Sequence, residues 1–322
     1  MPESVLSELV VERGFLVVDG ATGTQLMAAG LEPGDAPERL NLDRPEVVHG
    51  LHESYVNVGS DIVLTNTFGG SRYRLKLHKL DDRVVELNCE AARNARHVVD
   101  QLPRRVLVAG SIGPTGELIA PLGSLQAVDA AAAFAEQARG LSEGGVDLLW
   151  IETMSSIDEI EAAVEGVRSV SELPIAVTLS FDTAGRTMMG VTGAQAASRL
   201  LELEVAAFGA NCGNNLADTE AALAEMLEVA GDTPVICKAN AGIPHWHGTE
   251  LVYSGSPDVM GAHANRVRSA GVSIIGGCCG NDPSHLAVMR GVLDGTLPVP
   301  EVDFTPAERA PTGARRRSRR SN

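Results

Sequence analysis

Short apolar runs rich in Val, Ile and Leu recur along the chain, each followed by a turn of small residues and then a stretch with apolar positions at helical spacing. That alternation is the pattern of repeated βα units. Eight such runs stand out: Phe15–Gly20, Asp61–Phe68, Val106–Ile112, Val146–Thr153, Pro174–Phe181, Val205–Cys212, Pro234–Ala241 and Val272–Cys278. Between them, segments such as Asp81–Gln101, Leu125–Gly144 and Ser156–Val170 carry apolar residues at helical periodicity and predict helices. Eight parallel strands close into an α/β fold of the TIM type, a (β/α)8 barrel, which uses about 250 residues in one domain. The pattern predicts one barrel domain over residues 1–297. Residues 298–322, with the Pro-containing stretch Pro298–Pro311 and an Arg-rich end, read as a disordered tail.

Barrel active sites sit at the carboxyl ends of the strands. There the sequence sets Asp19, Asn66, Ser111, Glu152, Asp182, Cys212, Asn240 and Cys278. Polar residues at one end of otherwise apolar strands are poor core material and good site material. Side-chain alternation gives Cys212 the parity of Ala210 and Phe208, and Glu152 the parity of Trp150, so both are expected to face the lumen above a packed layer. Adjacent Cys278 and Cys279 cannot both point inward on a regular strand. Gly276, Gly277 and Gly280 permit a bulge or turn that lets both sulfurs converge. By the same parity Cys237 faces the helices, and Cys89 falls on a helix, so both read as small core residues. Cys212, Cys278 and Cys279 then make a three-thiolate zinc site with a fourth position free, the arrangement of a metal that does chemistry. A closed structural site would call for paired CxxC half-sites or a nearby His at the usual spacing, and the sequence supplies neither.

Composition narrows the setting. The chain has 322 residues, 44% of them hydrophobic, and 34 glycines, which suits a globular protein with a large core and many tight turns. No apolar run approaches the roughly 20 residues of a membrane span, and the amino terminus lacks the pattern of a secretory signal, so a cytoplasmic protein with no membrane partner is expected. Five cysteines, two of them adjacent, suit metal binding better than a disulfide framework in a reducing compartment. A net charge of −16, from 42 acidic and 26 basic residues, argues against nucleic acid as the main partner. Only Arg315–Arg320 runs the other way, and a solvated end accounts for it.

Taken together, Asp19-Gly-Ala-Thr-Gly-Thr24, Thr65-Asn-Thr-Phe68, Gly110-Ser-Ile-Gly-Pro-Thr-Gly116, Ile151-Glu-Thr153, Gly209-Ala-Asn-Cys-Gly213, Asn240-Ala-Gly-Ile-Pro244 and Gly276-Gly-Cys-Cys-Gly280 resemble the homocysteine S-methyltransferase family over about residues 14–295. The runs Asp35-Ala-Pro-Glu38, Ser180–Gly190 and Tyr253–Asp258 look most like the short bacterial betaine–homocysteine methyltransferases. The resemblance implies zinc-dependent methyl transfer to homocysteine, giving methionine, with glycine betaine as donor and dimethylglycine as product. It implies that Asp19 and the backbone amide of Gly20 hold the amino-acid end of homocysteine and that Glu152 pairs with its ammonium, with Asn66 and Ser111 in the same subsite. By the same resemblance Asn240 occupies the fourth zinc position when homocysteine is absent.

Two features depart from that pattern. Animal betaine enzymes carry an aromatic residue after the Thr-Phe stretch where this chain has Gly69, and they use a carboxyl-terminal oligomerisation extension for which this tail has too few apolar residues. A homo-oligomer is left open. A quaternary ammonium calls for aromatic faces, and with two Trp, three Tyr and six Phe in the chain the candidates are Phe68, Tyr73, Phe181, Trp246 and Tyr253. The donor carboxylate calls for Arg72, Arg74, Arg186, His245 or His247. Other members of the family use S-methylmethionine, S-adenosylmethionine or a methyl-corrinoid partner, and these remain alternatives. From other classes the rivals are a zinc-stabilised binding module and a protein that cycles Cys278 and Cys279 between dithiol and disulfide.

Overall fold

All eight strand segments form, and they pair in parallel in the order β1-β10-β7-β6-β5-β4-β3-β2. The strands are β1 (Leu16–Val17), β2 (Ile62–Leu64), β3 (Leu107–Ile112), β4 (Leu148–Met154), β5 (Ile175–Leu179), β6 (Ala207–Cys212), β7 (Val235–Ala239) and β10 (Ile274–Gly277). A parallel bridge between Val18 and Ile62 joins the two ends of that order, with Asp19 N–H donating to Ile62 O at 3.0 Å and Asp61 N–H to Val17 O at 2.6 Å. The ring is therefore closed, a (β/α)8 barrel of the TIM type. The computed structural model describes residues 4–247 and 250–302, and for 244–247 and 250–252 the backbone alone. Of the tail expected over 298–322, residues 303–322 lie outside the described residues. No helix among the described residues is long and apolar enough to cross a membrane.

The lumen is filled by one face of every strand. Leu16, Val18, Ile62, Leu64, Leu107, Ala109, Leu148, Trp150, Ala176, Ala207, Ile236 and Ile274 form one buried cluster. Leu6 and Leu9 join it from the amino-terminal helix α1 (Val5–Arg13), which plugs the amino-terminal end of the barrel. That helix starts on a capping box, the Ser4 hydroxyl accepting from Ser7 N–H, and ends at Gly14 in the left-handed region. The opposite strand faces pack against the outer helices in a larger cluster.

This division corrects one sequence expectation. Phe208 and Ala210 belong to the outer cluster, whereas Ala207 faces the lumen. Regular alternation would therefore turn Cys212 toward the helices. It reaches the mouth of the barrel because its own backbone leaves the strand conformation, with φ of 59°. Thr153 at the end of β4 is likewise left-handed, φ 61°, where the pairing register with β5 shifts. A β-branched residue in that region is a genuine outlier, and such strain gathers at sites that need it. Asn211 clasps the two kinks together, accepting from Thr153 N–H at 2.8 Å and donating to Thr153 Oγ1 at 2.7 Å.

Between β7 and the last barrel strand the chain inserts an antiparallel hairpin, β8 (Pro244–His247) and β9 (Glu250–Tyr253), over the carboxyl-terminal face.

Candidate active site

Above the Trp150 layer the lumen turns polar. Lys238 shares its strand face with Ile236, is 3% exposed, and sets its ammonium 5.8 Å from the Trp150 ring centroid. Its Nζ donates to Asp19 Oδ1 at 2.9 Å, while Asp19 Oδ2 accepts from Leu64 N–H at 2.7 Å. Burial alone would lower the Lys238 pKa, but the opposite charges of Asp19 and Glu152 outweigh it and keep the group charged. Lys238 was not among the sequence candidates. The signal was a lone cation at a lumen-facing position of an apolar strand.

Glu152 lies at the next level up, 7% exposed, and accepts a short hydrogen bond from Ser111 Oγ. Burial pushes its pKa up to about 7, against the attraction of Lys238. Asn66 is buried at the end of β2, where its amide nitrogen donates to Pro37 O at 2.8 Å and contacts Asn41 Oδ1 at 3.3 Å. It thereby ties the segment around Pro37 to the barrel.

The last strand stops at Gly277, so Cys278 and Cys279 sit in a turn, as the flanking glycines allow. Asn281 N–H closes that turn on Cys278 O at 3.1 Å, and Ala241 N–H donates to Cys279 O at 2.9 Å, locking it to the end of β7. Gly280 follows with φ of 79°, and a Cβ there would lie 2.4 Å from Tyr253 Cγ, so glycine is what lets the tyrosine close over the turn. The Sγ atoms of Cys212, Cys278 and Cys279 all lie within 4.8 Å of one another, Cys212 and Cys278 at 3.2 Å. Hydrogen bonds from Cys212 and Cys278 draw the Cys279 pKa well below the ordinary thiol range, and Tyr253 adds to the effect.

The donor set fits zinc. Tetrahedral coordination at about 2.3 Å per Zn–S bond sets sulfurs about 3.8 Å apart, within the spread of this cluster. Asn240 donates from Nδ2 to Gly213 O at 2.7 Å, which leaves its buried Oδ1 with no hydrogen-bond partner. Asn240 N–H also donates to Cys212 O at 3.4 Å, and an orphaned buried oxygen on a residue tied to the thiol turn suits a metal's fourth position. Cys237 and Cys89 are apart from the cluster as expected, Cys237 buried in the outer layer 3.4 Å from His263 Nε2 and Cys89 buried on the helix Val84–Val99.

One cavity of about 480 Å³ opens over these groups and reaches Gly20, Asn66, Phe68, Ser111, Glu152, Tyr253 and the three cysteines. It also takes in Asp35, Glu38, Arg74 and His78, of which only Arg74 was a sequence candidate. Tyr73, Phe181 and Arg186 are not brought to it. Phe181 shares the outward parity of Leu179 and is buried against the helix layer. Tyr73 packs on the outer cluster, and Arg186 lies exposed in a turn, contacting Gly190 O at 3.3 Å. Arg72 is engaged by Glu136 at 2.7 Å. The side chains of His245, Trp246 and His247 lie outside the described residues.

A closed parallel barrel whose mouth gathers three thiols, a buried carboxylate and one shared cavity has the layout of an enzyme of the thiol-site barrel class. The model of the homocysteine S-methyltransferase family matches residues 16–293, and the chain belongs to that family, whose members are S-methyltransferases. Among its relatives, the methionine synthase of Mycobacterium tuberculosis is 32% identical over 314 residues, 92% of this chain and 26% of the relative. That of Mycobacterium leprae is 31% identical over 312 residues, with 91% and 26% covered. The chain thus spans about a quarter of the length of these curated relatives. The homocysteine methyltransferase MmuM from Escherichia coli, in its metallated form, has the same fold, with a TM-score of 0.75 at 23% identity over 89% of this chain and 99% of that one. A methyltransferase from Methanosarcina mazei matches at a TM-score of 0.58 and 13% identity over 91% of this chain and 99% of that one.

Proposed function

We propose that this protein transfers a methyl group from glycine betaine to the sulfur of homocysteine, giving methionine and dimethylglycine, with zinc held by Cys212, Cys278 and Cys279. The observation that carries the reading is the thiol cluster at one wall of a cavity that also contains Glu152 and the turn at Gly20. Zinc bound there would keep a thiol in its fourth position as thiolate at neutral pH, where a free thiol is mostly protonated. Asn240 Oδ1 would yield that position to the substrate sulfur. The orphaned state of this oxygen supports the exchange.

The chain's own groups do the rest. Glu152, ionised and oriented by Ser111, pairs with the substrate ammonium. Gly20 lines the same cavity, where its backbone amide would receive the substrate carboxylate. Asp19 has a structural part besides the one its resemblance implies. Its oxygens accept from Lys238 and from Leu64 N–H, so it fixes the lysine beneath the site, and the lone pairs left on them can take the amino-acid end of the substrate. The transfer forms one S–C bond and breaks one N–C bond, with no proton to move. The donor nitrogen loses its positive charge as the sulfur loses its negative one, and a buried cavity strengthens their attraction beforehand.

A panel of donors tests this with zinc-loaded protein and homocysteine: betaine should give methionine and dimethylglycine one to one, without cobalamin or methylfolate. Methionine from S-methylmethionine but none from saturating betaine would reassign the donor. The family resemblance leaves a second reading, in which a methyl-corrinoid protein supplies the methyl group. Activity only with such a partner would select it.

A further inference from the structure

We infer that Glu38 is the residue whose charge holds the cationic end of the methyl donor; this rests on the donor reading above. Glu38 stands on the short turn Pro37–Arg39 and is 5% exposed, yet it lines the same cavity as the three thiols. Gly69 N–H donates to its Oε1 at 2.7 Å. Among the described residues no Lys, Arg or His forms an ion pair with it; Arg74 and His78 act on it only through their charge at longer range. A buried carboxylate without a counter-ion is costly, and a cation that reaches it recovers that cost. Burial accordingly raises its pKa above the ordinary carboxylate range, the state of a group short of positive charge.

The neighbour at position 69 gives the placement its meaning. A Cβ on Gly69 would lie 2.8 Å from Glu38 Oε1 and 3.4 Å from its Cδ. No side chain at 69 can coexist with the carboxylate where it stands. Glycine there thus admits the anion to that part of the cavity wall. Asn66 secures the arrangement from behind, through its hydrogen bond to Pro37 O. On the same cavity, Arg74 offers the opposite charge, which suits a donor carrying a carboxylate as well as its cation. A fixed-charge methyl donor has no N–H to donate at its cationic centre, so recognition there reduces to point-charge attraction, which an ionised carboxylate supplies.

The experiment compares zinc-loaded wild-type and Glu38→Gln protein. Glutamine keeps the acceptor for Gly69 N–H and removes only the charge. Donor KM should rise roughly ten- to a hundredfold, with homocysteine KM and zinc content unchanged. Tetramethylammonium, an inert cation, should bind the homocysteine-loaded wild-type protein in calorimetry and bind the variant at least tenfold more weakly. Should Glu38→Gln not fold, Gly69→Ala, which crowds the carboxylate from its place, should weaken the same binding. Equal donor KM and equal tetramethylammonium affinity in wild type and variant would overturn the inference. The calorimetric arm decides it even where the donor panel rejects betaine, because it reads the cation site without turnover.

Discussion

Replacing Glu152 by Gln should strengthen the fold and weaken substrate binding in the same molecule, by amounts that follow from its surroundings. The carboxyl is buried with its pKa pushed up to about 7 from an ordinary 4.5. A group whose folded pKa is raised keeps its proton in the native state while the unfolded chain has already lost it. Native protein then binds more protons than unfolded protein between the two values, so stability falls as pH rises from about 4.5 to about 7 and levels off above. The full drop corresponds to about 3 kcal/mol. Glutamine has no such titration and still accepts from Ser111 Oγ, so urea denaturation of metal-free protein should show the variant matching wild type near pH 4.5 and exceeding it by up to about 3 kcal/mol at pH 8. Binding runs the other way. A charged hydrogen bond to the substrate ammonium is worth about 1.5–3 kcal/mol, so homocysteine affinity in zinc-loaded protein should drop roughly ten- to a hundredfold at pH 8, with zinc content normal. Wild-type affinity should also rise with pH through 7 more steeply than that of the variant, as Glu152 ionises. A variant that binds homocysteine like wild type, or whose stability tracks wild type in parallel across the pH range, would refute the reasoning.

Changing Cys212, Cys278 or Cys279 to Ser should lose zinc and activity together, whereas Cys89→Ser and Cys237→Ser should retain about one zinc per chain; full zinc retention in Cys212→Ser, measured by metal analysis after dialysis, would remove the assignment. Lys238→Met should cost about 3–5 kcal/mol in denaturant unfolding, because it leaves Asp19 buried with only Leu64 N–H as partner. Adding Asp19→Asn to it should recover most of that loss, and simple addition of the two single losses would show that the pair is not coupled.

The strands were legible because each apolar run ends in small residues and repeats with the βα period, and the cysteine turns were legible because vicinal cysteines among glycines have few other uses. What parity could not deliver was the last residue of a strand. Cys212 was assigned inward by counting from Phe208, but the count starts from the wrong face, and only the left-handed backbone at 212 brings the sulfur to the mouth. Phe181 qualifies in the sequence as an aromatic residue at a strand end, but its alternation with Leu179 sends it outward. Strain is invisible to a periodicity argument, since a positive φ at a non-glycine residue is dictated by its neighbours, here by Asn211 gripping Thr153. The amino-terminal helix escaped notice because its register is set by the open end of the barrel and not by a strand beside it in sequence.

Lys238 and Glu38 mark a different limit. Each is one charged residue whose meaning lies in a partner far along the chain, Asp19 for the lysine and Gly69 for the glutamate. A charge at an apolar strand position, as in Val235-Ile-Cys-Lys238, signals that some counter-charge must exist, since a lone buried ammonium would deprotonate instead. Sequence alone does not say which of the acidic residues supplies it. Once the ring is closed the answer is visible: Asp19 follows β1, β7 is separated from β1 by a single strand, and Lys238 Nζ meets the Asp19 carboxylate directly at 2.9 Å. Asp19 thereby fixes the Lys238 ammonium beneath the site, close enough for its charge to favour the ionised forms of Glu152 and Cys278.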